Sequence, residues 1–254
     1  MRRWNLSHAI SSCVTVALLA GCGGSQPPIG APVFVSPFNS RTEKSSTQSA
    51  GRSKITRHYV YVTNGYSRDA RDVSAFAINA NSGALTKVEG SPFRARRKSI
   101  GVAIDPTGAF MYVANGDSAD VSAFVTNTES GALKHVQGQP FAAGSYPSHV
   151  AIDPTGKFAY VTNESSNDIS AYAINASSGA LKQVKGSPFA AGSAPIGVAI
   201  DPTGKFAYVT NYNDKDVFGY VINAGSGALT RVQGSPFAAG SAPIEVAIDG
   251  TFVY

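Results

Sequence analysis

Cysteine is almost missing from this chain of 254 residues: only Cys13 and Cys22 occur, both near the N-terminus. The remainder has no disulfide framework and no Cys-based metal site. Charge is scarce too, with Asp, Glu, Lys and Arg making up 15% of residues. No stretch combines a helical hydrophobic period with caps, which argues against a helical bundle. A P-loop, a Rossmann glycine pattern, a serine nucleophile elbow and HExxH are all absent. Their absence removes the commonest nucleotide, α/β-hydrolase and zinc-protease chemistries, and neither cofactor nor metal is expected.

The net charge of +5 is unevenly placed. Residues 1–58 carry seven bases (Arg2, Arg3, Arg41, Lys44, Arg52, Lys54 and Arg57) against one acid, Glu43. From residue 59 onward 14 bases face 15 acids, a net of −1, so the body of the chain gives no reason to expect nucleic-acid binding.

The first residues are organised as an address. Arg2 and Arg3 precede an apolar run through Ala9, Ile10, Val14, Val16, Ala17, Leu18 and Leu19. That run is too short to span a bilayer and suits a signal peptide over residues 1–21. It ends in Leu19-Ala20-Gly21-Cys22, which resembles the bacterial lipobox, where cleavage precedes a cysteine that is then lipidated. The expectation is an exported protein held in the bacterial cell envelope by lipid on Cys22, on the periplasmic or cell-surface side. Residues 22–57 are rich in Gly, Pro, Ser and Thr without apolar period, and read as the anchor and a linker.

Residues 58–254 are dominated by a repeat. "DPTGKFAYVTN" occurs at 153–163 and again at 201–211. "SGAL" begins at Ser82, Ser130, Ser178 and Ser226, and "PF" pairs end at Phe93, Phe141, Phe189 and Phe237, all in steps of 48. Each repeat reads as four short strands, illustrated by "HVAID", "KFAYVTN", "DISAYAIN" and "GALKQVKGSPF" (strands a, b, c and d). Asp153-Pro154-Thr155-Gly156 supplies a tight a–b turn: a capping carboxylate, a preset φ, and a glycine for the left-handed position. Four antiparallel strands repeated every 40–50 residues or so predict an all-β propeller of stacked blades. The recurring aromatics are then inter-blade core.

The tetrads "YVTN" at 61–64, 160–163 and 208–211, and "YVAN" at 112–115, carry a specific likeness. Over residues 58–254 the chain resembles the YVTN-repeat propellers of the lactonase family, which are seven-bladed and similar to 6-phosphogluconolactonase. The expected blades lie at 58–93, 99–141, 147–189 and 195–237, with a partial fifth at 243–254. The first lacks a strand a, whereas seven blades would need about 340 residues. Either the chain is a truncated member, or Ile244–Asp249 joins the first repeat and closes a four-bladed ring. Truncation is the expectation, since closure leaves "GTFVY" as a surplus strand.

The resemblance implies that His149, before strand a, and Glu164, after strand b, occupy positions associated with lactone chemistry. A histidine and a carboxylate near the channel mouth can supply a general base and position water. Two departures weigh against catalysis: Ser148 and Tyr212 stand where the family pattern has arginine, and a developing oxyanion needs cationic donors. The slots equivalent to His149 hold Gly101, Gly197 and Glu245. Arg94, Arg96, Arg97 and Lys98 replace the "AAGSA" of other blades, and form a candidate anion site on the same face. Asp72, Asp120, Asp168 and Asp216 recur by 48 and are expected to cap turns. "NYNDKD" at 211–216 lacks the glycine and terminal glutamate of a calcium loop. Two functions follow as expectations. The first is a lipid-anchored scaffold binding a protein or carbohydrate on its top face, and the alternative is a sugar-lactone hydrolase.

Overall fold

The computed structural model describes residues 58–65 and 71–249, together with the backbone of 16–18. Cys22, the linker, the rest of the leader, and "GTFVY" at 250–254 lie outside the described residues. Four antiparallel sheets follow one another. The first holds β1 (Val16–Leu18), β2 (His58–Asn64), β3 (Asp72–Ile78), β4 (Leu85–Lys87) and β5 (Phe93–Arg94). The second holds β6 (Ser99–Ile104), β7 (Phe110–Asn115), β8 (Asp120–Thr126), β9 (Leu133–His135) and β10 (Phe141–Ala142). The third holds β11 (Pro147–Ile152), β12 (Phe158–Asn163), β13 (Asp168–Ile174), β14 (Leu181–Gln183) and β15 (Phe189–Ala190). The fourth holds β16 (Pro195–Ile200), β17 (Phe206–Asn211), β18 (Asp216–Ile222), β19 (Leu229–Arg231) and β20 (Phe237–Ala238).

The architecture is that of propeller blades, with two differences from the sequence reading. Strand d is two strands, not one. In the third blade both β14 and β15 pair with β13. Between them Gly186 takes a positive φ of 91° and Pro188, after a cis peptide bond, offers no N–H to the ladder. The Ser187 hydroxyl fills the gap by accepting the Ala171 N–H at 2.9 Å. The second difference concerns the first blade. Its strand a is present: Val16–Leu18, from the segment read as leader, pairs antiparallel with β2.

Turn chemistry explains the repeated Asp. Asp153 accepts the Phe158 N–H at 2.7 Å and the Thr155 N–H at 3.1 Å, and Gly156 sits at φ 71°. The Asp that opens strand c has a different task. Asp120, Asp168 and Asp216 each accept the side-chain amide of the "YVTN" or "YVAN" asparagine, at 2.8, 2.6 and 2.7 Å. The tetrad's asparagine therefore ties strand b to strand c, and this carboxylate series is structural. In the same way Asp214 accepts the Ser193 N–H at 2.6 Å, so "NYNDKD" is held within its own blade.

Blades pack face to face in sequence order, through three clusters of buried side chains. Tyr160, Ile169 and Val184 of the third blade meet Val209, Phe218 and Leu229 of the fourth. Tyr61, Tyr112 and Tyr160 are wholly buried, and each hydroxyl donates to the glycine carbonyl of the next blade's "SGAL" turn: Gly131, Gly179 and Gly227, at 3.0, 2.9 and 2.9 Å. Burial drives all three phenols well above their ordinary pKa, so they remain donors at any physiological pH. Among the described residues no comparable packing joins the first blade to the fourth, so these four blades form an open arc.

Candidate functional site

Strand a lines the axis of the arc. β11 carries a β-bulge between Pro147 and His149, opposite the end of β12. A bulge re-aims the side chains on either side of it. Ser148 is directed into the seam with the fourth blade, where its hydroxyl lies 3.3 Å from both the Pro195 and the Ile196 carbonyls. It is buried there and also meets the Thr162 hydroxyl at 3.1 Å. The slot that the family pattern gives to arginine is thus a small, satisfied seam contact.

His149 stands at the axis with its side chain 16% exposed. Its backbone N–H donates to Thr162 Oγ1 at 3.2 Å. The carboxylate beside the imidazole is that of Glu245, with Nδ1 3.7 Å from Oε1. Glu164, the other residue that the family likeness singled out, lies on the b–c loop of the same blade. Its backbone N–H donates to the Tyr146 carbonyl at 2.9 Å. The geometry depends on Gly197, which occupies the equivalent slot between His149 and Glu245. A Cβ on Gly197 would lie 2.5 Å from the Ile244 carbonyl oxygen and 3.2 Å from Glu245 Cα. Gly101 is as tight, its hypothetical Cβ being 2.7 Å from His149 Cα. Glycines at alternate slots let the axial strands approach, and His149 and Glu245 meet across the gap. The signal was present in the slot series Gly101, His149, Gly197, Glu245, but only packing shows that alternate slots touch.

Burial lowers the His149 pKa, and Glu245 draws it part of the way back. The imidazole is therefore neutral near pH 7 and has a lone pair to offer. At 3.7 Å the contact with Glu245 is electrostatic rather than a hydrogen bond, which leaves both groups able to bond a ligand.

The four cations of the 94–98 loop are dispersed. Arg96 Nε pairs with Asp120 Oδ2 at 2.9 Å, and Lys98 Nζ sits 4.4 Å over the Tyr146 ring. Arg94 lines a shallow recess of about 380 Å³ with Arg71, Asp72 and Pro92. Arg97 is exposed, and its backbone N–H donates to Ser118 Oγ at 3.0 Å. Among the described residues no group of three or more His, Cys, Asp or Glu is placed to hold a metal.

The family model for Lactonase, the 7-bladed β-propeller, matches residues 34–143 and 138–247. The chain belongs to this family. Solved structures agree on the fold. A candidate 6-phosphogluconolactonase from Bacteroides uniformis matches at 20% identity and TM-score 0.64, over 72% of this chain and 52% of its own. Another from Bacteroides fragilis matches at 20% identity and TM-score 0.64, over 75% and 53%. The periplasmic gluconolactonase PpgL of Pseudomonas aeruginosa matches at 21% identity and TM-score 0.60, over 73% and 55%. This lactonase-family chain thus spans about half the length of those structures. Among curated proteins no sequence matches it.

Proposed function

We propose that this lactonase-family propeller is an exported, lipid-anchored binding module, and that its axial end holds a neutral, hydroxyl-rich carbohydrate. One observation carries the reading. His149 and Glu245 present a neutral imidazole and a carboxylate side by side, while the two positions where the family has arginine hold Ser148 and Tyr212. Sugar hydroxyls donate to a carboxylate and bond either way with an imidazole. A phosphorylated sugar acid calls for cationic donors, which those two positions do not supply. The Leu19-Ala20-Gly21-Cys22 motif supports the anchor, and the Pseudomonas relative, periplasmic by name, makes the fold compatible with export.

Titration calorimetry with gluconolactone, gluconate and neutral oligosaccharides tests this. Binding of a neutral sugar that is lost in Glu245→Gln and in His149→Ala supports it, and binding of 6-phosphogluconate in preference to gluconate overturns it. Loss of membrane association in Cys22→Ser tests the anchor. A second reading, lactone hydrolysis with His149 as general base, is favoured by the neutral, carboxylate-flanked imidazole. It requires hydrolysis above the uncatalysed rate that collapses in His149→Ala and survives in Glu164→Ala.

A further inference from the structure

One slot of the repeat has a left-handed backbone on all four d–a loops. Lys98, Tyr146, Ala194 and Ala242 lie at φ 57°, 59°, 54° and 58°, each three residues before a member of the Gly101, His149, Gly197, Glu245 series. That region is unfavourable for a residue with a Cβ and most so for a bulky one, and two of the loops meet it with alanine. The lysine and the tyrosine are departures from the repeat, and they meet. Lys98 Nζ stands 4.4 Å over the Tyr146 ring, drawn by the negative face of the aromatic system. Both rest beside Gly116, where a Cβ would lie 3.5 Å from Tyr146 Cε2 and 3.6 Å from Lys98 Cδ. The next two blades carry Glu164 and Tyr212 at the Gly116 slot, so this room for a ring belongs to the seam between the second and third blades.

This ring does not hold the fold together. Tyr61, Tyr112, Tyr160, Tyr172 and Tyr220 each place the hydroxyl on a backbone carbonyl, whereas Tyr146 is half-buried and its hydroxyl meets no partner among the described residues. Its place is the rim of the axial site. Tyr146 immediately precedes the bulge that carries His149. Gly101, three residues beyond Lys98, touches His149 across the same seam, a Cβ there lying 2.7 Å from His149 Cα. The two side chains leave the third blade on opposite sides. The imidazole faces Glu245, on the side of the fourth blade, and the tyrosine lies against the second. A single sugar bonded between His149 and Glu245 is therefore on one side of the third blade, and the Tyr146 ring is on the other.

We infer that Tyr146 is a second sugar subsite, and that the ligand of the axial site is an oligosaccharide crossing the end of the third blade, with one unit between His149 and Glu245 and a following unit on Tyr146. The inference rests on carbohydrate binding at His149 and Glu245, and it narrows the ligand from a single sugar to a chain. A pyranose has an apolar C–H face and a girdle of hydroxyls. An aromatic ring offers a flat apolar surface to the first, and the tyrosine hydroxyl, both donor and acceptor, reaches the second. Lys98 holds the ring from the second blade, and its ammonium has further donors for a neighbouring sugar oxygen. The left-handed backbone sets the ring beside the axis instead of in the core, and such strain gathers at ligand sites.

Titration calorimetry of the full chain with glucose, maltose, cellobiose, N-acetylglucosamine and chitobiose tests this. At least one disaccharide is expected to bind about tenfold tighter than its own monosaccharide, the gain of one aromatic stacking contact. Tyr146→Ala should bring that disaccharide down to the affinity of the monosaccharide, and Tyr146→Phe should keep most of the gain. Alanine stands at this slot in the fourth blade and again at Ala242, so the variant folds, and a cooperative melt near the wild-type Tm checks it. A disaccharide advantage that survives Tyr146→Ala overturns the inference. Monosaccharide binding with no advantage for any disaccharide overturns it too, and leaves the axial site standing. Absence of binding by all these sugars overturns the inference together with the carbohydrate reading beneath it.

Discussion

The tyrosine of strand b occurs once per blade and offers an internal control for the way the blades are joined. Tyr160 is wholly buried, and its hydroxyl donates to the Gly227 carbonyl at 2.9 Å. Tyr160→Phe keeps the ring and the packing but leaves that carbonyl buried without its donor. A lost hydrogen bond with an orphaned buried partner costs about 1–3 kcal/mol. For a domain of this size that is a fall in Tm of about 2–4 °C per kcal/mol. Tyr112→Phe should cost the same, because its bond to Gly179 is also 2.9 Å and equally buried. Tyr208 has the same sequence context but a partly exposed ring and no following blade among the described residues. In dilute protein Tyr208→Phe should therefore change stability by less than about 0.5 kcal/mol. Urea unfolding of the three single variants reads this directly, as a shift in midpoint at constant m-value. Equal losses at positions 160 and 208 in the dilute monomer would refute the reasoning, since Tyr208 would then have an inter-blade partner that the open arc lacks.

The turn glycines give a second series. Gly179→Ala combines left-handed strain of about 1–2 kcal/mol with overlap against the Phe110 ring, for a total of about 2–5 kcal/mol. Gly83→Ala meets no described atom and should cost only the strain, which thermal melts of the pair would reveal. The lowered pKa of His149 fixes the sign of a pH effect. As pH falls through about 6.5, the ordinary histidine value, the unfolded chain takes up a proton before the folded one does. Stability is therefore complete above that pH and declines below it until the folded pKa is reached. His149→Asn should flatten its share of this decline, while the share from His135, lowered by burial as well, persists. Glu245→Gln removes the charge that draws the His149 pKa back up, so the decline should extend to lower pH; an unchanged stability profile in both variants would show that the imidazole is solvated. Finally, Asp153→Ala removes the acceptor of two turn N–H groups and should cost about 1–2 kcal/mol in chemical denaturation.

Much of the molecule was legible in its residues because it is local. The 48-residue period, the alternation within strands, and the Asp-Pro-Thr-Gly turn each need only neighbours in the chain, and strands β7, β12 and β17 recur at that period. Even the break in strand d was written as Gly-Ser-Pro, although alternation alone ran through it. The likeness of "YVTN" to the lactonase propellers named the fold correctly. What the residues did not disclose is which groups meet across blades. The family likeness singled out His149 and Glu164, fifteen positions apart in one blade, and gave no sign of Glu245. His149 meets Glu245, because Gly197 lets the axial strands close up and because the bulge at Ser148 turns that hydroxyl into the seam. The covering of β2 by Val16–Leu18 was hidden for the same reason. Sequence by itself determined the blade, whose contacts are short in range. Tertiary structure alone decided what lies at the axis and at the two ends of the arc, where burial and strand register are set by packing between repeats.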